Sequence, residues 1–202
     1  MYRRDRLTVG NLSIASFGRP CLGERLSGDA AFIDERDGRV CLAILDGLGH
    51  GPSAHQVVQR ALELLRLGWS PDPAATLRTL HEALRGTLGM AAGLGVLDVT
   101  SGELAYAGVG NTVCCKLGVE TERLFSAEGI VGSHMRPPVR RSLRLDRDEV
   151  LLLYSDGLSE RIDAKQYPQL WAHGAPAIAR NLVVRFGKDH DDATCMVLRY
   201  ER

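Results

Sequence analysis

The chain has 202 residues, 45% of them hydrophobic, and its 25 Lys plus Arg balance 25 Asp plus Glu. That length buries a real core without staples and allows one large domain. The zero net charge excludes a global field that would draw the chain to nucleic acid or to an anionic membrane.

The basic start, Arg3-Arg4-Asp5-Arg6, has no apolar stretch after it and is not a signal peptide. Apolar runs elsewhere are far too short to span a bilayer. Leu7 to Val9, Leu12 to Phe17, Ala30 to Ile33 and Val40 to Leu45 read as strands, with Asp37-Gly38 a hairpin turn between the last two. From Ser53 to Leu67 the apolar residues Ala54, Val57, Val58, Ala61, Leu62 and Leu65 take helical spacing, and Gly68 marks the stop. A second helix is predicted over Pro73 to Leu88, with Asp72 as N-cap. Strands return at Ala92 to Val99, Leu104 to Val109 and Thr112 to Leu117. Ser126 to Pro138 is irregular, and Val139 to Leu145 alternates as an edge strand would. Val150 to Tyr154 is a buried strand, Ala175 to Phe186 a helix, and Thr194 to Tyr200 the last strand. No linker or repeat divides the chain, so one domain over residues 1–202 is expected. Many antiparallel strands with helices grouped in pairs predict a layered α+β domain, a β-sandwich with helices outside. The five cysteines (Cys21, Cys41, Cys114, Cys115, Cys195) are odd in number and show no CxxC spacing. They read as reduced core residues of a cytoplasmic protein.

The most informative pattern is acidic. Val40 to Leu45 runs straight into Asp46-Gly47, and Val150 to Ser155 into Asp156-Gly157. Asp191-Asp192 precedes the last strand, and Asp29 precedes Ala30 to Ile33. One Asp-Gly after a strand is most often a turn. Four acidic strand ends can converge in space, and Asp oxygens alone suit a hard cation such as Mg²⁺ or Mn²⁺. Two such ions can activate a water and clamp a phosphoryl group. Gly47-Leu48-Gly49-His50-Gly51 could cradle a phosphate at a helix N-terminus. It lacks the Lys of a P-loop, and a tight turn that lets backbone approach a metal is the plainer account. His50 serves either account, as a loop-holding group or as a substrate contact.

These sites occur in an order that resembles the PP2C-type metal-dependent Ser/Thr protein phosphatases, and more closely their bacterial SpoIIE-like branch. Ser27-Gly28-Asp29 resembles the branch's GGD motif, and Asp46-Gly47-Leu48-Gly49-His50-Gly51 its D-x-x-G-H-G signature. Ala107 to Asn111 resembles its small-residue-plus-Asn strand end. Leu151 to Glu160 resembles its LLLYTDGxxE block, and Asp191-Asp192-Ala193-Thr194 its terminal D-D-x-T.

The resemblance implies a four-layer αββα sandwich, two antiparallel sheets flanked by helix pairs. It implies two Mn²⁺ or Mg²⁺ ions, with Asp46 bridging, Gly47 giving its carbonyl, and Asp29, Asp156 and Asp191 completing the shells. Asp46, Asp156 and Asp191 would carry catalysis. Glu160 falls where some members hold a third metal. Arg25 is a candidate for the phosphate-binding arginine of eukaryotic members, whose compact D-G-H-x-G this chain lacks. No sensor, receiver or membrane domain is attached, so the chain resembles the small stand-alone members that act on phosphorylated stressosome proteins. The implied partner is a phosphorylated STAS-domain or stressosome-type regulator, with no nucleic acid and no membrane. A pseudophosphatase binding module and a two-metal phosphoesterase for small molecules are the rival readings. Ser126 to Arg144, with Arg136, Arg140, Arg141 and Arg144, is the expected docking segment for a protein partner.

Overall fold

In a computed structural model, described here over residues 3–118, 120–147, 149–159, 162 and 167–200, strands dominate. In chain order the elements are β1 (Arg3–Val9), β2 (Leu12–Arg19), β3 (Asp29–Arg36), β4 (Arg39–Gly47), α1 (Gly51–Leu67) and α2 (Pro73–Ala83). Then come β5 (Met90–Asp98), β6 (Glu103–Val109), β7 (Val113–Leu117), β8 (Thr121–Leu124), β9 (Arg141–Arg144) and β10 (Val150–Tyr154). α3 (Pro168–Trp171), α4 (Ala175–Phe186) and β11 (Ala193–Tyr200) close the described chain. One sheet has the order β1-β2-β11-β10-β7-β8 and the other β3-β4-β5-β6-β9. Every pairing between these strands is antiparallel.

Side-chain alternation builds the layers. Along β4, Val40, Leu42 and Ile44 enter the cluster shared by both sheets, while Cys41, Ala43 and Leu45 join α1 and α2. Along β10, Leu151 and Leu153 face the other sheet, while Val150, Leu152 and Tyr154 meet α4. A strand buried on both faces needs an unbroken apolar run, as both these strands show. Each fully buried leucine contributes about 1.5–3 kcal/mol of transfer free energy. The result is the αββα sandwich expected. Asp37 and Gly38 have φ of 51° and 72°, the type I′ geometry that matches strand twist. Asp72 caps α2 by accepting from the Ala74 N–H at 3.1 Å.

Several boundaries move. α2 ends at Ala83 rather than Leu88, because Gly86 and Gly89 both take φ of 80° and break the helical path. Leu88 therefore leaves the helical stripe and is half exposed. His81 is buried and accepts from the Gly132 N–H at 3.1 Å. The edge strand expected over Val139 to Leu145 shrinks to β9, Arg141–Arg144, the stretch that pairs with β6. β8 and the one-turn α3 were not expected. All five cysteines are free and buried. No helix among the described residues is long and apolar enough to cross a membrane.

Candidate metal centre

Register brings the first two carboxylates together. In the β3–β4 hairpin Asp29 lies directly opposite Asp46. Asp156 follows β10 and Asp191 precedes β11, and these strands are neighbours in the other sheet. The two pairs meet at one end of the sandwich. Ser155, fully buried, donates to Asp29 Oδ2 at 2.5 Å and accepts from the Thr194 N–H at 3.0 Å. Asp46 and Asp156 lie within hydrogen-bonding reach of each other.

In so small and buried a space Asp29, Asp46 and Asp191 resist ionisation. Burial pushes Asp46 up to about 9, helped by repulsion from Asp29, Asp156 and Asp191. Burial likewise pushes Asp29 up to about 8, against the lowering effect of the Ser155 hydrogen bond. Asp191 is also raised, by burial first and by Asp156 second. A pocket of about 300 Å³ opens here, lined by Asp46, Gly47, Leu48, His50, Asn111, Asp156, His190 and Asp191 among others. Asp29 is 6% exposed and stands behind this lining. Gly47 is required by close packing: a Cβ there would lie 2.7 Å from the Ala54 carbonyl oxygen.

The donor set fits a hard cation. It consists of carboxylates and a backbone carbonyl, and two of its carboxyls approach each other so closely that only a proton or a cation relieves them. Among the described residues no three His, Cys, Asp or Glu side chains form a ready-made cage. An ion here would be held by one or two carboxylates at a time and fill its shell with water, the habit of Mg²⁺.

Around the acids sits a supporting layer that sequence reading mostly missed. Asn111 donates to Asp156 Oδ2 at 2.6 Å, leaving the other oxygen available. Asp192 accepts the N–H groups of Cys21 and Gly28, each at 2.8 Å, and so straps the β2–β3 loop to the acid loop. The Lys188 ammonium donates to the Asp156 carbonyl at 2.6 Å. Arg19, with 16% of its side chain exposed, donates to the carbonyls of Pro20, Asp191 and Lys188 at 3.0, 3.2 and 2.8 Å. Its guanidinium fork thus fixes the loop that presents Asp191. Arg19→Met should weaken Mn²⁺ binding about tenfold by calorimetry, the usual cost of losing a support behind a ligand. Arg19→Lys should recover part of the loss. Unchanged affinity in both variants would show that the clamp serves folding alone.

His50 both lines the pocket and pairs its Nδ1 with Glu24 Oε1 at 3.1 Å. Arg25 is exposed on the same loop as Glu24. Glu160 lies outside the described residues. The expected docking segment divides. Its first part reaches the acid end, where Val131 bridges to Met90. Arg140 instead lines a groove of about 480 Å³ with Arg39 and Asp98. Arg39 begins β4 and Asp46 nearly ends it, so this groove lies roughly 23 Å along the strand from the acids. β9 carries Arg140 away because its register with β6 sets Arg141 opposite Tyr106.

The family described as Stage II sporulation protein E (SpoIIE) matches residues 36–201. A comparison with curated proteins gave no match. Solved structures agree on the fold. A protein from "The bacterial stressosome: a modular system that has been adapted to control secondary messenger signaling" is 25% identical, with a TM-score of 0.85, over 93% of this chain and 99% of that one. RsbX, crystallised in complex with magnesium, is 17% identical, with a TM-score of 0.84, over 98% and 100%. The PP2C domain of SpoIIE from Bacillus subtilis, with a fragment of its regulatory domain, is 19% identical, with a TM-score of 0.73, over 96% and 64%. The ordered acidic strand ends, the two-sheet sandwich and the match over most of the sequence lead to one conclusion: this chain belongs to the SpoIIE family of PP2C-type, metal-dependent serine/threonine protein phosphatases.

Proposed function

We propose that the chain removes phosphate from serine or threonine of a regulatory protein in bacterial stress or sigma-factor signalling, using two Mn²⁺ or Mg²⁺ ions. The observation that carries this reading is the meeting of Asp29, Asp46, Asp156 and Asp191 at one end of the sandwich, in a pocket open to solvent. Asp46, Asp156, Asp191 and the Gly47 carbonyl would hold the ions at that pocket, with Asp29 behind the lining to complete the set. Two divalent ions, when bound, supply an acidified water and neutralise charge on the phosphoryl oxygens.

The chain's own residues do the positioning. Asn111 fixes the Asp156 carboxylate by donating to its Oδ2. Ser155 fixes Asp29 behind the lining by donating to its Oδ2. The Leu48 N–H donates to the Gly89 carbonyl at 3.1 Å, which holds the Gly47 carbonyl in place. No thiol has a part, because every cysteine is buried and Cys41, Cys114, Cys115 and Cys195 are pushed up by burial.

The stress-signalling assignment is supported by the likeness to the stressosome structure and to RsbX. A phosphorylated STAS-domain protein is the substrate to test first. Phosphate release from it should require Mn²⁺ or Mg²⁺ and stop with chelator, and p-nitrophenyl phosphate should be a slower general substrate. No release from either under saturating metal would leave a binding module instead. Preference for nucleotides over phosphoprotein would move the chain to the small-molecule phosphoesterases.

A further inference from the structure

The mouth of the acid pocket is apolar along one side. Leu48 lines the pocket and is 42% exposed, and Leu88 is 52% exposed. Their segments adjoin, because the Leu48 N–H donates to the Gly89 carbonyl. Ile130, half-buried, sets its Cγ2 against the position a Gly89 Cβ would take. Paired hydrogen bonds between Met90 and Val131, 3.1 and 2.9 Å, lock this third segment alongside. Leu88 and Ile130 therefore stand on segments next to Leu48, the one of the three that lines the pocket. The fold does not use the exposed faces of Leu48 and Leu88: Leu88 lies beyond the end of α2, and Leu48 stands between two glycines. Single exposed leucines are ordinary, but a contiguous group beside a pocket marks a contact surface.

The rest of the rim is different. Glu24, held against His50, and the exposed Asp189 belong to the loops on the other side, with Asp191 inside the pocket. We propose that the Leu48–Leu88–Ile130 lip receives an apolar side chain flanking the phosphorylated serine or threonine of a protein substrate. This rests on the phosphatase reading above and adds a sequence preference to it. A phosphoserine side chain is short, so a phosphoryl group inside the pocket brings the substrate backbone onto the rim. Flanking side chains then lie over the rim, where Leu48 stands exposed on one side and the opposite loops carry Glu24 and Asp189 beside Arg19 and an exposed Leu22. An apolar flank loses water contact on the lip, whereas an acidic flank meets like charge, a repulsive element that sharpens selection.

The test uses phosphoserine peptides with Leu, Ser or Asp on both sides of the phosphoserine, assayed with Mn²⁺ beside p-nitrophenyl phosphate. The Leu peptide should exceed the Asp peptide at least tenfold in kcat/KM. In Leu88→Ser with Ile130→Ser that ratio should fall to about twofold, while Arg140→Glu, on the distant groove, should keep it. No preference in the unsubstituted protein overturns the proposal, as does a preference that survives the double substitution. Sedimentation gives the other occupant: if the protein is a dimer that the double substitution dissociates, the lip is a self-association surface and the proposal fails. Absence of all turnover, p-nitrophenyl phosphate included, would instead count against the phosphatase reading itself.

Discussion

Asp46→Asn should reduce turnover of every substrate by about a hundredfold or more, the scale on which removal of one essential charge-stabilising group operates. Asp46 faces Asp29 across the hairpin, approaches Asp156 across the sandwich, and lines the pocket. An amide keeps the shape of the carboxylate but cannot draw two cations, so the loss should persist at saturating Mn²⁺. The fold should survive. The substitution removes one of four mutually repelling carboxylates, and the variant should melt no lower than the unsubstituted protein without metal. Near-normal turnover of Asp46→Asn in excess Mn²⁺ would remove Asp46 from the centre of the mechanism.

Much of this site could be read from sequence because each acid is tied to a strong local signal. Asp46 and Asp156 end unbroken apolar runs, and such a run is what a strand buried on both faces requires. Val150–Tyr154 and Ala175–Phe186 have the limits that their periodicity gives. The elements that escaped reading have weak local signals. β8 is four residues, three of them exposed, and exists because it pairs with β7. α3 is a single turn. Leu88 continues the stripe of α2 in sequence, yet two left-handed glycines take it out of the helix and leave it on the rim.

Long-range contacts account for the remainder. Arg19 and Lys188 are 169 residues apart, and both act on backbone carbonyls, which carry no sequence signature. The two oxygens of Asp192 take backbone N–H groups from residues more than 160 positions away. Charge alone misled at Arg140. An arginine-rich loop that touches the acid end at Val131 reads as one docking surface, until the β6–β9 register takes its basic half to the other pole.

The acid cluster should also govern stability, with opposite trends in pH with and without metal. In chelated protein Asp29 and Asp46 titrate near 8 and 9, against about 4 when unfolded. Between these limits the folded chain holds more protons than the unfolded one, so its stability falls as pH rises. The contribution is fully present below about pH 4 and is lost as pH climbs through about 8 to 9. Chelated protein should therefore melt at least about 5 °C lower at pH 9 than at pH 6, a shift that one or two kcal/mol produces in a domain of this size. Divalent cations bind the deprotonated form and should reverse that trend. At a hundredfold excess over its dissociation constant a bound ion adds about 2.7 kcal/mol. Saturating Mn²⁺ should then raise the melting temperature by about 5–10 °C at pH 8, and by less at pH 6, where protons compete. Asp156→Ala should remove most of the Mn²⁺ response and make the chelated pH profile slightly shallower, because burial, the main cause of the raised Asp29 and Asp46, stays while the repulsion from Asp156 goes. A structural role for Asp156 would instead lower the melting temperature by the same amount at every pH and leave the Mn²⁺ response in place. Scanning fluorimetry over pH 5–9, with chelator and with Mn²⁺, separates the two outcomes in a single experiment.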